Sequence, residues 1–303
     1  MKTAYAIRTI EDAYKVLSEE SDLSPRNPAV NETLSRLVQT LSKEYSDDEV
    51  SRILLDPQVR KMRGGMLEKL AQAESEMELF WAKEFCKKSV ISQQDMKDFW
   101  YWQNYSDLVG VESNHIPNQI YTPGESICFV GSGPLPLTAI VLNQKTGRNI
   151  TCLDIDPAAC EASTLFLKKA GYDKSINVVC VDGAEYNFDR HPAVLIASLV
   201  PNKNETVRRI CETSDNPCIG LRSAERLHTL LYDPVDEDAD ELSMCSFSGR
   251  TAYDPKIINT TLFYQGVLAT DFDKNRTILG HIRPKFGWRN PGRPVLPPEP
   301  SRG

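Results

Sequence analysis

The chain has no C-x-x-C pair among its eight cysteines, and its four histidines show neither H-E-x-x-H nor H-x₃-H spacing. Zinc sites usually draw two ligands from one short turn. The cysteines at 86, 128, 152, 160, 180, 211, 218 and 245 and the histidines at 115, 191, 228 and 281 therefore read as background, with the thiols reduced and mostly buried. The expected chemistry requires no metal. Nor does any apolar run approach the ~18–20 residues needed to cross a bilayer, and the mean hydropathy is −0.38. The opening MKTAYAIRTIEDAYKVL breaks its apolar stretch with Arg8, Glu11 and Asp12, so a signal peptide is not expected and a cytoplasmic location is. Basic excess is missing too: 35 Lys and Arg face 42 Asp and Glu, a net charge of −7. That balance argues against nucleic-acid and anionic-membrane partners and leaves small molecules as the expected ones. Low-complexity sequence is absent, and 41% hydrophobic with 25% charged residues are ordinary globular proportions. A chain of 303 residues allows one large domain or two; the composition leaves the oligomeric state open.

What is present falls into two halves. Residues 1–120 carry helical periodicity: Ile7, Ile10, Tyr14 and Leu17 form one apolar stripe, and Val30, Leu34, Leu37, Val38 and Leu41 another. Asp56-Pro57 supplies an N-cap and N1 proline for a long helix through about Phe85, weakened locally by Gly64-Gly65. Ser92-x-x-Asp95 resembles a capping box opening a helix that carries Phe99-Trp-Tyr-Trp-Gln-Asn-Tyr105. A helical bundle is predicted here. After Thr122-Pro123-Gly124 the period changes to short apolar strands at 126–130, 149–153, 177–181, 193–200 and 217–221, alternating with helical stretches. This is the pattern of an α/β fold built on a parallel sheet with right-handed crossovers. Lys256–Leu268 and Arg276–Ile282 are expected to close the sheet as an antiparallel pair, within a domain spanning 121–283. The Pro- and Arg-containing tail, 284–303, is expected to be irregular.

The glycine turn of the second half decides its ligand class. Gly131-Ser132-Gly133 follows a strand and precedes a helix, where glycine lets the backbone approach a ligand and the helix N-terminus favours an anionic group. The third glycine of a dinucleotide fingerprint is missing, with Pro134-Leu135-Pro136 in its stretch, so a nicotinamide dinucleotide is disfavoured. Twenty-one positions beyond Gly133, Asp154 ends the second strand, placed to accept from both hydroxyls of a ribose. Asp182, ending the third, is placed for an adenine amino group. Together they indicate S-adenosylmethionine, with Gly131, Ser132, Gly133, Pro134, Asp154, Ile155, Asp182, Gly183 and Ala184 as its candidate contacts. Asp156 either joins them or caps the helix opened by Pro157.

The runs Phe129-Val-Gly-Ser-Gly-Pro-Leu-Pro-Leu-Thr138, Asp154-Ile-Asp-Pro157 and Leu221-Arg-Ser-Ala224 followed by Leu231-Tyr232 resemble the nicotianamine synthase family. So do Leu55-Asp-Pro-Gln-Val59, Ala73-Glu74…Glu78 and Phe99-x-Tyr101-x-x-Asn104-Tyr105, and the resemblance spans roughly residues 30–270. It implies a helical bundle lidding a Rossmann-like class I methyltransferase domain. The implied reaction moves the 3-amino-3-carboxypropyl group of S-adenosylmethionine, by amine attack on its γ-carbon, and releases methylthioadenosine. Plant-type members join three such units; bacterial relatives make one transfer onto an amino acid; a related reaction closes one molecule into azetidine-2-carboxylate.

Attack at carbon needs a neutral amine and hence a base. Glu74, matching an acidic position of the family, is the candidate base, with Glu78 four residues on along the same helix face. Tyr101 and Tyr105 are candidates to hold the amine or carboxylate, and Trp102 and Asn104 to line the acceptor chamber. Arg222 is either a carboxylate clamp or a structural ion pair. Where plant-type members read F-P-Y-Y-D-N-Y, Trp100, Trp102 and Gln103 bring bulk and remove an acid, which predicts a smaller chamber and favours a small acceptor or self-cyclisation. An ordinary methyltransferase and a non-catalytic S-adenosylmethionine sensor are the competing readings.

Overall fold

Six helices precede the first strand in the computed structural model, which describes residues 1–117 and 122–266. They are α1 (Lys2–Glu19), α2 (Pro28–Leu41), α3 (Asp47–Leu54), α4 (Pro57–Phe85), α5 (Gln93–Lys97) and α6 (Trp102–Glu112). The α4 start is fixed as the sequence suggests, with Pro57 at its first position and the Asp56 carboxylate accepting from Gln58 N and Val59 N. Gly64-Gly65 does not interrupt it. Instead Gly65 admits Tyr14 of α1, whose hydroxyl would lie 2.7 Å from a Cβ built there. A buried cluster of Ile10, Leu17, Leu37, Leu41, Ile53 and Met66 ties α1–α4 together, and Leu227, Leu230 and Tyr232 join it from beyond the sheet.

Two readings of this half need correction. A short helix, α3, lies between the second helix read from an apolar stripe and the long helix α4, opened by a complete Ser46–Glu49 capping box. The helix expected to start at Ser92 and include the aromatic run is broken: α5 ends at Lys97, and α6 begins only at Trp102.

The strands are β1 (Ile127–Val130), β2 (Ile150–Asp154), β3 (Ile176–Cys180), β4 (Ala193–Ile196), β5 (Cys218–Ser223), β6 (Cys245–Arg250) and β7 (Thr260–Gly266). Helices α7 (Leu137–Thr146), α8 (Pro157–Ala170) and α9 (Lys203–Thr213) connect them. The strands form one sheet in the order β3-β2-β1-β4-β5-β7-β6. The first five are parallel, and β7 runs against both neighbours. β1 is covered on both faces: Ile127 and Phe129 pack on the side of α4, α6 and α7, while Cys128 and Val130 pack towards Val207 and Ile210 of α9. The order reverses between β1 and β4, the place in a doubly wound sheet where the strand ends leave a crevice for a ligand.

β7 pairs with β5 on one side and β6 on the other; the expected strand 276–282 lies outside the described residues, as does the tail 284–303. β4 is shorter than read; residues 197–200 leave the sheet after Ile196 and turn into the crevice wall. Among the described residues no helix is long and apolar enough to cross a membrane.

Candidate active site

A cleft of about 280 Å³ opens at the C-terminal ends of β1, β2 and β4 and is roofed by α4 and α6. Its floor is the glycine turn. Gly131 and Gly133 have φ of +78° and +66°, in the left-handed region that favours glycine. A Cβ on Gly131 would lie 2.5 Å from Val200 Cγ2, and one on Gly133 would collide with the Glu78 carboxylate. The turn is drawn onto β2, since Gly131 N and Ser132 N donate to Leu153 O at 2.8 and 3.1 Å. Asp154 accepts from Gly133 N at 2.7 Å through Oδ2 and from Asp156 N at 3.0 Å through Oδ1. Each oxygen keeps a further lone pair for a ligand hydroxyl. Asp182 and Gly183 follow along the same rim, opposite the apolar side chains of Leu199, Val200 and Pro201. Ile155 is 65% exposed on this rim, an apolar side chain left open beside a strand-end acid.

The roof brings two carboxylates into a dry space. Glu74 and Glu78, one turn apart on α4, both line the cleft. Glu74 Oε2 accepts from the Tyr232 hydroxyl at 2.6 Å, and Glu78 Oε1 accepts from the Tyr105 hydroxyl at 2.7 Å. Burial pushes the Glu78 pKa up to about 8, helped by the neighbouring charges of Glu74 and Asp154 and opposed by the Tyr105 hydrogen bond and Arg222. Burial also raises Glu74, against the Tyr232 hydrogen bond and Arg222. Tyr101 packs edge-on to Tyr105 at 5.2 Å, and burial raises the hydroxyl pKa of both, so they stand as neutral donors.

Arg222 enters from β5. Its Nε and Nη2 donate to the two oxygens of Glu112 at 2.9 and 3.0 Å, and Nη1 reaches Thr138 Oγ1 at 3.3 Å. Glu112 is fully buried and takes a third bond from Thr261 Oγ1 at 2.7 Å. Burial alone would lower the Arg222 pKa, but the Glu112 carboxylate holds it above its usual value. The guanidinium is therefore an ion pair that also borders the cleft.

The fold gathers Glu74, Glu78, Tyr101, Asn104, Tyr105, Gly131, Ser132, Gly133, Pro134, Asp154, Ile155, Asp182, Gly183 and Arg222 around one space. Two candidates lie elsewhere. Ala184 is behind the rim, donating its N–H to Asp182 Oδ1 at 2.9 Å. Trp102 is buried in the apolar cluster of Phe85, Phe99 and Phe129 and is not part of the cleft wall. Trp100 points away as well and is 60% exposed. Tryptophan bulk thus does not narrow the chamber, which corrects the inference drawn from the aromatic run. Asp156 caps α8 through Ala158 N at 2.9 Å while its residue borders the rim. Tyr232, Glu112, Ser198 and Asn259 were not singled out by sequence. Asn259 Nδ2 donates to Ser198 Oγ at 2.9 Å across the cleft wall. For Tyr232 a signal existed in Leu231-Tyr232; for Glu112 there was none. Among the described residues no three His, Cys, Asp or Glu side chains cluster as metal ligands.

A doubly wound sheet with an added antiparallel strand, a glycine turn, strand-end acids and a helical roof defines a Rossmann-like fold of the class I methyltransferase type. The nicotianamine synthase protein family matches residues 1–269, and the chain belongs to that family. It is 26% identical over 275 residues to nicotianamine synthase 2 of Arabidopsis thaliana, covering 84% of this chain and 82% of that one. It is 34% identical over 88 residues to L-histidine 2-aminobutanoyltransferase of Yersinia pestis, covering 29% and 32% of the two chains. Its fold is similar to that of a mutant of MtNAS in complex with S-adenosylmethionine, with a TM-score of 0.71 and 21% identity over 86% of this chain and 97% of that one.

Proposed function

We propose that the protein transfers the 3-amino-3-carboxypropyl group of S-adenosylmethionine to an amine and releases methylthioadenosine, giving a nicotianamine- or opine-type product. The observation that carries this reading is the buried Glu74–Glu78 pair facing the glycine turn, with Glu78 pushed up to about 8. Methyl transfer to an already neutral acceptor needs no such base, whereas an aliphatic amine reaches the donor as an ammonium ion. A carboxylate with a pKa near that of an α-ammonium takes its proton without binding it too tightly to release. The freed nitrogen pair then forms the new bond to the γ-carbon, and the carbon–sulfur electrons leave with the thioether. Tyr105 and Tyr232 orient the two carboxylates, and the apolar walls exclude water that would compete as a nucleophile.

The donor fits the residues present. Asp154 retains acceptor capacity for ribose hydroxyls, Ile155 and Leu199 offer apolar contact to a base, and Gly131 and Gly133 admit close approach of the chain between them. The relatives named for nicotianamine synthesis and for 2-aminobutanoyl transfer to histidine support both an additional donor molecule and an amino acid as acceptor.

The test is mass spectrometry of the products formed from S-adenosylmethionine alone and with added histidine. Methylthioadenosine is expected in both the productive arms, with a multi-unit chain from the donor alone or a single-transfer adduct with histidine. S-adenosylhomocysteine would instead make the protein a methyltransferase, azetidine-2-carboxylate a cyclase, and tight binding without turnover a sensor.

A further inference from the structure

The aromatic run that bypasses the cleft builds a second hollow. Between the last turn of α4 and the segment 95–100 lies an open cavity of about 510 Å³, walled by four rings, Trp81, Phe85, Phe99 and Trp100. The rings brace one another: Trp81 meets Phe99 edge-on at 5.5 Å, Phe85 meets Phe99 at 6.1 Å, and Phe99 meets Trp100 at 5.9 Å. Trp100 stands at the mouth with 60% of its surface in solvent, far more than a ring of this size keeps when it serves only as packing.

The charged part of the wall has one predominant sign. Glu84, Asp95 and Asp98 border the hollow against a single lysine, Lys88. Lys88 is paired with Asp95, which is further engaged by Ser92. Glu84 gives one oxygen to Lys87 at 2.5 Å, and Asp98 gives one to Gln94 Nε2 at 2.7 Å. The second oxygens of Glu84 and Asp98 have no protein partner among the described residues, so negative charge stands at the rim of an aromatic pocket. Aromatic faces and carboxylates share one preferred guest, a cation too poorly hydrated to lose much on entering. A neutral apolar guest would gain nothing from the acids, and an anion would be repelled by them.

We propose that this hollow is a binding site for a small aliphatic cation of the ammonium or sulfonium class, held over Trp100 and against Asp98 and Glu84. The site is separate from the cleft but touches it. Trp100 packs on Tyr101 at 5.0 Å, and Tyr101 borders the cleft. Trp81 stands three residues beyond Glu78 on the same helix.

Saturation-transfer NMR on the methyl protons of tetramethylammonium, with the full chain at constant ionic strength, tests this directly. The neutral isostere 2,2-dimethylpropanol serves as the control. Saturable binding of the cation and none of the alcohol is expected. Trp100→Ala and Asp98→Asn should each weaken it by about tenfold, and Glu78→Gln should leave it unchanged. Both rim positions are open to solvent, so circular dichroism is expected to show native folds; if the Trp100 variant is unfolded, Asp98→Asn decides. Equal binding of the alcohol, no saturation, parent-like affinity in the folded rim variants, or loss of binding in Glu78→Gln would overturn the proposal.

Discussion

A carboxyl group that must relieve an ammonium ion of its proton works best when its pKa lies close to the working pH, and Glu78 at about 8 satisfies that condition through burial and the charge of Glu74. Its sign fixes the pH profile. Below the pKa the group is protonated and cannot accept, so kcat/KM should fall about tenfold per pH unit on the acid side of about 8. Glu78→Gln should abolish this limb and lower kcat by roughly 10²–10⁴-fold while donor binding stays within a few fold; an unchanged profile would remove Glu78 from the proton transfer. Glu74→Gln tests the other acid by the same assay. The Arg222–Glu112 pair makes a different prediction. Glu112→Gln leaves the guanidinium buried beside a neutral amide and should cost about 3–5 kcal/mol in urea unfolding, whereas replacing both partners by leucine and methionine should recover much of that loss. Asp154 was legible in sequence because an acid at a strand end carries a positional meaning, and Glu74 and Glu78 because they match acidic positions of the family. Glu112 was not. An acid near a helix end normally faces water, and only the approach of β5 and β7 encloses this one.

At the scale of elements, the break between α5 and α6 explains where the sequence reading failed. Phe99 faces the core and Tyr101 the cleft, yet residues two apart on a helix point to nearly opposite sides. A turn from Asp98 to Tyr101 lets both face inward and expels Trp100 between them. No local propensity signals this, because the constraint comes from two surfaces that meet only in the folded chain. The long helix α4 was readable throughout, from its Asp56 cap to Phe85, since cap chemistry and periodicity are both local. Its glycines were read as a weakness, although one of them is a contact. Gly65→Ala should destabilise the protein because the added methyl meets the Tyr14 hydroxyl, and adding Tyr14→Phe should restore part of the loss. Thermal denaturation of the two single variants and the double variant measures that coupling; strict additivity would assign the cost elsewhere.

For the whole molecule, the same buried acid makes stability depend on pH. Glu78 has a folded pKa of about 8 against an ordinary 4.5, so between those values the folded state holds a proton that the unfolded state has released. Its contribution is fully present below 4.5 and lost as pH rises through about 8. Tm should therefore decline more steeply between pH 5 and about 8.5 in the parent than in Glu78→Gln, a comparison calorimetry makes directly. The parallel α/β pattern and the strand β7 were readable, but the strand order and β6 were not: β6 has an exposed, polar sequence, Cys-Ser-Phe-Ser-Gly-Arg, and becomes a strand only through its pairing with β7.

That pairing sets a schedule for biosynthesis. β7 inserts between β5 and β6, so β6, although made first, has no place in the sheet until residues 260–266 have left the ribosome. The same strand brings Thr261 to Glu112. A nascent chain that has already completed the roof helices, the glycine turn and β5 thus still has an open sheet edge and an incompletely bonded ion pair beside the cleft. The pocket draws its lining from residues as far apart as Glu74 and Asn259, but its wall is locked only by the last of the described strands.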